Sequence, residues 1–539
     1  MTSDTNRDTA SGLSIANSIW PMACLCLFGF ALRLWYAHWP LWVDEIWSLK
    51  DLAPISHFWQ ILWAISQDNN HYLYSIYLFF AYPISRNEIW LRAPSIVAGV
   101  AAIPLMARLA GRDHVAALAG AAMTSVSTFL VTYSAQARGY ALALLFWIVA
   151  YRQLEKAMDA PATRARWGFA LAIGVGAFCH LATFAVAFLF ALAAFCEFLR
   201  RERHLVRALR KSLQLFWPTL LGLTPISLCL VAGYVEIGGF IVNFVRPYSP
   251  VLAFAGFSQM IVATLSGATP PILIVAAIPL VAVGAFVVLR EQTISSFRRI
   301  SYAIILFALP ALVFIAKPPN SHIPRYYLIS AVFLILAAAD LFAILWRENG
   351  IWRSAAVAAA TALGIGNLHA IVAAKEANVA AWPEALSVIA ASPSQRIGTN
   401  FDFNVREFVE HYNRFTAKPL QLIGSDLVCD HAPEWYIVES DTPAEPKTIG
   451  VDAHREGGGH CTLPYALMST YGYSTFFESR WLLYRAAAPL EQSAYWWNRH
   501  REERSDVAIQ ESRARSIVPL DCFASLAMTI AARPKRNLL

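Results

Sequence analysis

Long runs of apolar residues, separated by short polar segments, follow one another along the first two thirds of the chain. A transmembrane α-helix needs about 20 mostly apolar residues, because it must cross a hydrocarbon layer of roughly 30 Å. Runs that reach or approach this length are 13–36, 90–109, 114–132, 139–155, 167–179, 182–199, 212–232, 271–289, 299–316, 326–345 and 353–373. The pattern predicts an all-α polytopic membrane protein with about eleven transmembrane helices between residues 13 and 373.

The segment between the first two runs has a different pattern. Trp59 and Trp63 lie four residues apart. Tyr74, Tyr77 and Leu78 follow the same helical spacing. This predicts short helices with one apolar face, and helices of that kind lie along a membrane surface rather than cross it.

Composition narrows the class of protein. Hydrophobic residues make up 57% of the chain and charged residues only 15%, whereas a soluble protein has roughly 25% charged residues. The net charge of +7 raises the alternative of a nucleic-acid-binding protein. The basic residues, however, cluster in short loops beside the apolar runs, as in "RRERHLVRALRK". That distribution argues against nucleic acid as a partner and for the membrane.

The basic loops also predict the orientation. If residues 1–12 are cytoplasmic, the inside loops contain most of the Arg and Lys residues, as the positive-inside rule requires. The loop 37–89 is then the first outer loop. We expect a multi-pass membrane protein with the loop 37–89 on its outer face.

After the last run the character of the sequence changes. Residues 374–486 are polar and mix short β-branched runs with helical spacing, which predicts a small extracytoplasmic α/β domain. Cys429 and Cys461 lie there, and outside the cytoplasm they could pair, although the sequence alone does not decide this. The tail, 487–539, contains a stretch that resembles a translated palindromic intergenic repeat of alphaproteobacterial genomes. We expect that tail to be disordered.

Two adjacent carboxylates stand out in the first outer loop. Asp44 and Glu45 lie within "WPLWVDEIWSLKD", among Trp, Leu, Val and Ile side chains. Carboxylates among apolar groups are unfavourable unless they are paired or hydrogen-bonded. The pair either caps an interfacial helix or takes part in chemistry at the membrane surface.

Four stretches in order resemble one family. "LWVDEIWSL", "NNHYLYSIYLF", "IWLRAPSIVAGVAAIPLMARLAGR" and "TYSAQARGYALAL" are similar to the GT-C superfamily of membrane glycosyltransferases. Within it, they most resemble the branch of lipid A aminoarabinose transferases, protein O-mannosyltransferases and rhizobial lipopolysaccharide sugar transferases. The likeness is collinear over residues 13–200 and weaker to residue 375.

The resemblance implies a reaction. A sugar would move from a polyprenyl-phosphate donor to a lipid, lipopolysaccharide or other glycan acceptor by inverting single displacement. The leaving group is an anionic phosphate, which needs cations, and the attacking hydroxyl needs a base. Asp44 corresponds to the first acid of the family's pair and is the candidate base. Glu45 corresponds to the second and would orient the acceptor or a cation.

Three arginines near the predicted outer ends of runs are candidates for binding the donor phosphate: Arg92, Arg138 and Arg325. A guanidinium group matches phosphate oxygens with a planar fork, which a lysine lacks. Each arginine could instead simply extend towards lipid headgroups. His71, Tyr74 and His180 are further candidates for substrate contact. At His71 the family's His-Pro-Pro-Leu is replaced by "HYLY", which leaves its role open.

The remaining alternatives concern metals and transport. The acids of the outer loops are few, so we expect no metal site and no required cofactor, with a divalent cation as the alternative. A transporter or flippase of lipid-linked sugars is the rival function. It would call for acids at mid-membrane and inverted repeats, and neither is apparent in the sequence.

Overall fold

The computed structural model describes most of the chain. The described residues are 7–111, 113–160, 162–240, 246–267, 284, 286–348, 350–376, 381–416, 418–425, 427–440, 445–454, 460–474 and 479–487. The predicted disordered tail, apart from residue 487, and most of the predicted run 271–289 lie outside the described residues. The described chain divides into two units. The first contains residues up to Trp39 and Ser48–Val372, and the second contains Pro40–Trp47 and the residues from Ala373 onwards.

The first unit is helical. Its helices, in chain order, are α1 (Arg7–Tyr36), α2 (Val43–Leu52), α3 (Tyr72–Ala81), α4 (Glu88–Ala110), α5 (His114–Val126), α6 (Thr128–Ser134), α7 (Tyr140–Asp159), α8 (Thr163–Cys179), α9 (Thr183–Glu202), α10 (Leu205–Ile237), α11 (Pro250–Leu265), α12 (Ser296–Ala303), α13 (Leu309–Ala316), α14 (Leu328–Arg347) and α15 (Ile351–Glu376). Helix α2 begins with residues of the second unit. A π-helical turn, Ile304–Ala308, joins α12 to α13, and 3-10 turns form at Phe58–Leu62 and Pro324–Tyr327.

Seven helices of the described chain are long and apolar enough to cross a membrane: Ile19–Tyr36, Glu88–Ala110, Thr183–Glu202, Leu205–Ile237, Ser296–Ala316, Pro324–Arg347 and Ile351–Glu376. The pair α5 and α6 adds an eighth if it counts as one span, although it is bent by 57°. Helices α7 and α8, where two of the eleven runs lie, fall short of this test. The multi-pass prediction is confirmed in this form, whereas the count of eleven is not.

Burial divides these helices by environment. Helix α14 is buried on all sides from Leu328 to Ala337, as expected for an apolar helix at the centre of a bundle. Helix α10 instead exposes large apolar side chains along its length, among them Leu213, Leu220 and Val231. Exposed apolar surface of this extent is typical of contact with lipid.

Charged residues at the predicted inner ends of the helices are paired. Arg298 of α12 donates from Nε to Glu155 of α7 at 2.8 Å, and Tyr302 donates to Asp340 of α14 at 2.6 Å. Glu197 of α9 accepts from the guanidinium of Arg200 at 2.9 Å. The first two pairs join α7, α12 and α14 at one end of the unit, and Ser296 joins α12 to α9 by donating to Glu197 at 2.7 Å.

The second unit is a mixed α/β domain, as predicted. Its strands are β1 (Arg396–Thr399), β2 (Gln421–Leu422), β3 (Trp435–Ser440), β4 (Thr448–His454), β5 (His460–Ser474) and β6 (Ser479–Ala486), in the sheet order β2-β1-β3-β6-β5-β4. The pairs β1–β2 and β1–β3 are parallel and the others are antiparallel. Its helices are α16 (Trp382–Ala391), α17 (Asp402–Asn413) and α18 (Val428–His431). Cys429 and Cys461 form a disulfide that joins α18 to β5.

Candidate active site

Asp44 and Glu45 lie in the first turn of α2. Glu45 is buried, and its Oε2 accepts a hydrogen bond of 2.7 Å from the backbone N–H of Trp42, the residue before the helix. A carboxylate at this position satisfies a free N–H group and interacts favourably with the helix dipole. Asp44 is half-buried beside it. The capping role weighed for the pair is therefore present at Glu45.

The aromatic residues next to the acids anchor this segment in the second unit. Trp382 of α16 donates from Nε1 to the carbonyl of Leu41 at 2.9 Å. The ring of Trp42 packs against Phe408 of α17, and Trp47 packs edge-on against Phe403 at a centroid distance of 4.6 Å. The backbone that carries Asp44 and Glu45 is thus held by apolar contacts on both sides.

Four of the predicted site residues come together in the first unit. We call Arg138, Arg325, His71 and His180 the arginine–histidine cluster. The rings of His71 and His180 lie 5.0 Å apart between centroids, and the charge of each arginine acts on both imidazoles. In sequence these residues are spread from residue 71 to residue 325.

Tyr140 and Asn69 hold the cluster in place. The Tyr140 ring lies 5.1 Å from the His71 ring and 4.8 Å from the His180 ring. The Arg138 guanidinium lies 4.8 Å from the centroid of the same tyrosine, a cation–π geometry. It also donates to Oδ1 of Asn69 at 2.6 Å. Arg138 is therefore both desolvated and oriented.

The loop before α3 folds around Asn70. Its Nδ2 donates to the carbonyls of Ile61 and Ile65, at 3.2 and 2.9 Å, and its Oδ1 accepts from Ser75 at 2.8 Å. One buried amide thus closes the loop on the 3-10 turn and on α3. This fixes the neighbouring residues Asn69 and His71.

Gly139 allows the backbone next to Arg138 to approach His71 and Cys179 closely. A Cβ atom on Gly139 would lie 2.0 Å from the carbonyl oxygen of Cys179 and 3.1 Å from Cβ of His71. The carbonyl of Arg138 accepts from Ser95 of α4 at 2.8 Å. Any larger residue at position 139 would push Arg138 away from both histidines.

The imidazoles are kept neutral. Burial lowers the pKa of His180 to about 3, and the charges of Arg138 and Arg325 act in the same direction. Its Nδ1 accepts a hydrogen bond of 2.9 Å from the N–H of Ala182, so the proton of the neutral ring is on Nε2. Burial, Arg138, His180 and Arg325 also lower the pKa of His71 well below its usual value. The cluster therefore combines fixed cations with uncharged donors and acceptors, which is a suitable environment for an anion.

Arg92 and Tyr74 both make hydrogen bonds around the start of α4. Arg92 is buried, and one of its NH groups donates to the carbonyls of Ala37 and Trp39, both at 2.6 Å. The hydroxyl of Tyr74 donates to the carbonyl of Leu91 at 2.9 Å. Both side chains thus connect the start of α4 to its neighbours. A substrate-binding role for either one stays a prediction.

Sequence reasoning missed Asn69, Arg246 and His322. Burial, followed by the charges of Arg246 and Arg325, lowers the pKa of His322 to about 4, so a third arginine acts near the cluster. Arg246 and Asn320 exchange two hydrogen bonds, of 2.7 and 3.1 Å. The sequence held a signal for His322, which stands in "HIPRYY" just before the predicted run 326–345, but none for Arg246, which precedes no predicted run.

Among the residues that the structure describes, no group of three or more His, Cys, Asp or Glu side chains is arranged to hold a metal ion. That no divalent cation is required stays a prediction.

Comparison with known proteins gives structural neighbours only. No protein-family model and no curated protein matches the chain. ArnT from Cupriavidus metallidurans, solved bound to undecaprenyl phosphate, has 12% identity and a TM-score of 0.46, over 89% of this chain and 99% of that one. The Archaeoglobus fulgidus oligosaccharyltransferase in the apo form has 11% identity and a TM-score of 0.46, over 83% of this chain and 74% of that one. Mycobacterial arabinofuranosyltransferase AftD has 14% identity and a TM-score of 0.40, over 87% of this chain and 41% of that one. All three neighbours are glycosyltransferases of the GT-C superfamily.

Proposed function

We propose that this protein is a glycosyltransferase that moves a sugar from a polyprenyl-phosphate donor to an extracytoplasmic acceptor. The acceptor would be lipopolysaccharide, another lipid or another glycan. The enzyme would act in a bacterial inner membrane with its active site facing the periplasm. The ordered GT-C-like stretches of the sequence suggest the reaction, and the arginine–histidine cluster is the observation that carries it.

The charge distribution of the cluster suits a phosphate leaving group. When the bond between the anomeric carbon and the phosphate oxygen breaks, negative charge grows on a group that is already anionic. Arg138 and Arg325 would stabilise that charge, and the neutral ring of His180 would donate a hydrogen bond from Nε2 without adding a proton. The N–H of neutral His71 already donates to the carbonyl of Cys179, so His71 would help by its position beside the other three side chains. Cations that are already desolvated and oriented act more strongly than cations that must be recruited from water.

The acceptor side of the reaction requires a base. In the proposed step the acceptor oxygen bonds to the anomeric carbon as the phosphate leaves with the electron pair. The proton of the attacking hydroxyl passes to the carboxylate of Asp44. Glu45, which caps α2 through Oε2, would hold the start of this helix and orient the acceptor. The anomeric configuration inverts because a single displacement takes place.

The test is transfer of a radiolabelled sugar from polyprenyl phosphate, catalysed by purified protein in lipid vesicles, with the label followed into the acceptor fraction. We expect Arg138→Gln to reduce kcat/KM for the donor by about tenfold to a hundredfold, because a charge-assisted hydrogen bond contributes about 1.5–3 kcal/mol. The matched control is Arg347→Gln, which removes an exposed arginine paired with Asp113 at 2.9 Å. Equal transfer by both variants would contradict the proposal, as would movement of intact donor across the vesicle membrane without transfer.

A further inference from the structure

The break between α5 and α6 leaves backbone groups without partners in their own helices. Helix α5 ends at Val126, α6 starts at Thr128, and their axes differ by 57°. At such a break the last carbonyls of the first helix and the first N–H groups of the second have no intrahelical partner. In an apolar environment each unsatisfied group is unfavourable by several kcal/mol, so other side chains must supply partners.

Arg33 of α1 supplies the donors. Its guanidinium donates to the carbonyl of Thr124 at 3.0 Å and to the carbonyl of Ser125 at 3.1 Å. A third bond, of 3.0 Å, goes to the carbonyl of Gly29 in its own helix. The side chain is completely buried. Because Arg33 is fully buried and donates two hydrogen bonds to the last carbonyls of α5, it holds the end of α5 against α1. We call such a contact a brace.

Asn367 of α15 supplies the acceptor. Its Oδ1 accepts from the N–H of Thr128, the first residue of α6, at 2.7 Å. Its Nδ2 donates to the carbonyls of Leu265 and Leu363, at 2.6 and 2.9 Å. These donor bonds determine which end of the amide faces Thr128. One amide therefore ties the start of α6 to α11 and α15.

Helix α6 leads directly to Arg138. It ends at Ser134, and only three residues separate Ser134 from Arg138. A Cβ atom on Gly99 of α4 would lie 2.4 Å from Cβ of Ser134 and 2.7 Å from Nε of Arg33, so α1, α4 and α6 approach one another closely at this glycine. The direction of α6 thus determines where the Arg138 guanidinium lies.

We propose that Arg33 and Asn367 are positioning residues that fix α6 and thereby hold Arg138 where it binds the phosphate of the lipid donor. The inference rests on the proposed function. Neither residue touches the arginine–histidine cluster itself in the described contacts, and each acts through the broken pair α5–α6. Without either residue, α6 can change its direction relative to α5, and the Arg138 guanidinium then moves. A displacement of about 1 Å at a binding group is enough to weaken catalysis by on the order of a hundredfold.

The experiment measures binding of radiolabelled polyprenyl phosphate, without a sugar, to purified full-length protein in detergent. We expect Arg33→Met and Asn367→Ala to weaken binding by on the order of tenfold to a hundredfold. Arg33→Lys, which keeps the charge and can reach one carbonyl, should restore part of the loss. In an Arg138→Gln background, Arg33→Met should cause no further loss, because both act on the same contact.

The control is Arg298→Met, which removes a buried arginine that donates to the carbonyl of Leu109 at the end of α4. It should lower the melting temperature but leave the bound fraction of folded protein unchanged. If wild-type protein binds the lipid and folded Arg33→Met and Asn367→Ala bind it equally well, the inference is wrong. Additive losses in the Arg138→Gln background would also overturn it. If wild-type protein does not bind polyprenyl phosphate at all, the proposed function itself fails, and the two failures are thus told apart. Should Arg33→Met not fold, Asn367→Ala provides the same test.

Discussion

The electrostatics of the arginine–histidine cluster can be tested by lowering the pH. Within the fold, His180 accepts from the N–H of Ala182 and has a pKa of about 3, first because of burial and then because of Arg138 and Arg325. In the unfolded chain a histidine has a pKa of about 6.5. The unfolded chain therefore takes up this proton at a higher pH than the folded protein does.

The size of the effect follows from that difference. Above about pH 6.5, His180 is neutral in both states and does not affect the free energy of unfolding. Between about pH 6.5 and about 3, only the unfolded chain binds the proton, so the free energy of unfolding decreases as the pH falls. At about pH 4.5 the loss would be roughly 2.7 kcal/mol, since one pH unit corresponds to about 1.4 kcal/mol. His180 is partly exposed, and water screens part of the interaction. We therefore expect about 1–2 kcal/mol.

The assay compares unfolding of wild type and His180→Asn in detergent between about pH 7.5 and 4.5. Asparagine keeps an acceptor for the N–H of Ala182 but does not titrate. As the pH falls, the free energy of unfolding of the variant should therefore rise by about 1–2 kcal/mol relative to that of wild type. His204→Asn, at an exposed position, is the matched control. NMR of nitrogen-labelled histidines should show His180 still unprotonated at about pH 5. A midpoint near pH 6.5 for His180, or identical pH profiles for wild type and His180→Asn, would refute the reasoning.

Three further predictions concern other parts of the chain. Replacing Cys429 and Cys461 by serine should lower the free energy of unfolding of the second unit by about 4 kcal/mol, because the disulfide closes a loop with a sequence separation of 32 residues. Unfolding in denaturant measures this, and an unchanged free energy would show that the bond does not form. Gly139→Ala should destabilise the first unit by about 1–3 kcal/mol and reduce donor binding, because the alanine Cβ would overlap the Cys179 carbonyl. A variant with the melting temperature and donor binding of wild type would contradict the close contact between Gly139 and Cys179. Treatment with EDTA should leave transfer unchanged, and activity that is lost in chelator and restored by magnesium or manganese would reverse the expectation that no cation is required.

The fold was predictable where it depends on local pattern. Seven of the predicted runs form helices able to span a membrane, because length and apolarity alone decide this property. The break between α5 and α6 was not predictable. It is stabilised by Arg33 and Asn367, which lie 91 and 239 residues away along the chain from the groups they bind. A pattern read within one segment contains no information about such partners.

The site was predictable where local sequence pattern determines a residue's position, and not where a partner distant along the chain does. Arg138 and Arg325 could be selected because each stands just before an apolar run, where a membrane-surface phosphate would lie. Asn69 could not, since its role depends on the bond to Arg138 across the fold. At Glu45, an acid three residues after Trp42 at the start of a helix has the spacing of a capping interaction, so its structural role was readable from local rules.

The most direct test of the central claim is the effect of Asp44→Asn on transfer of labelled sugar from polyprenyl phosphate by purified protein. We predict that the variant folds and binds polyprenyl phosphate like wild type, while sugar transfer falls by about 10²–10⁴-fold, the usual contribution of a general base. Wild-type turnover in Asp44→Asn would contradict the account.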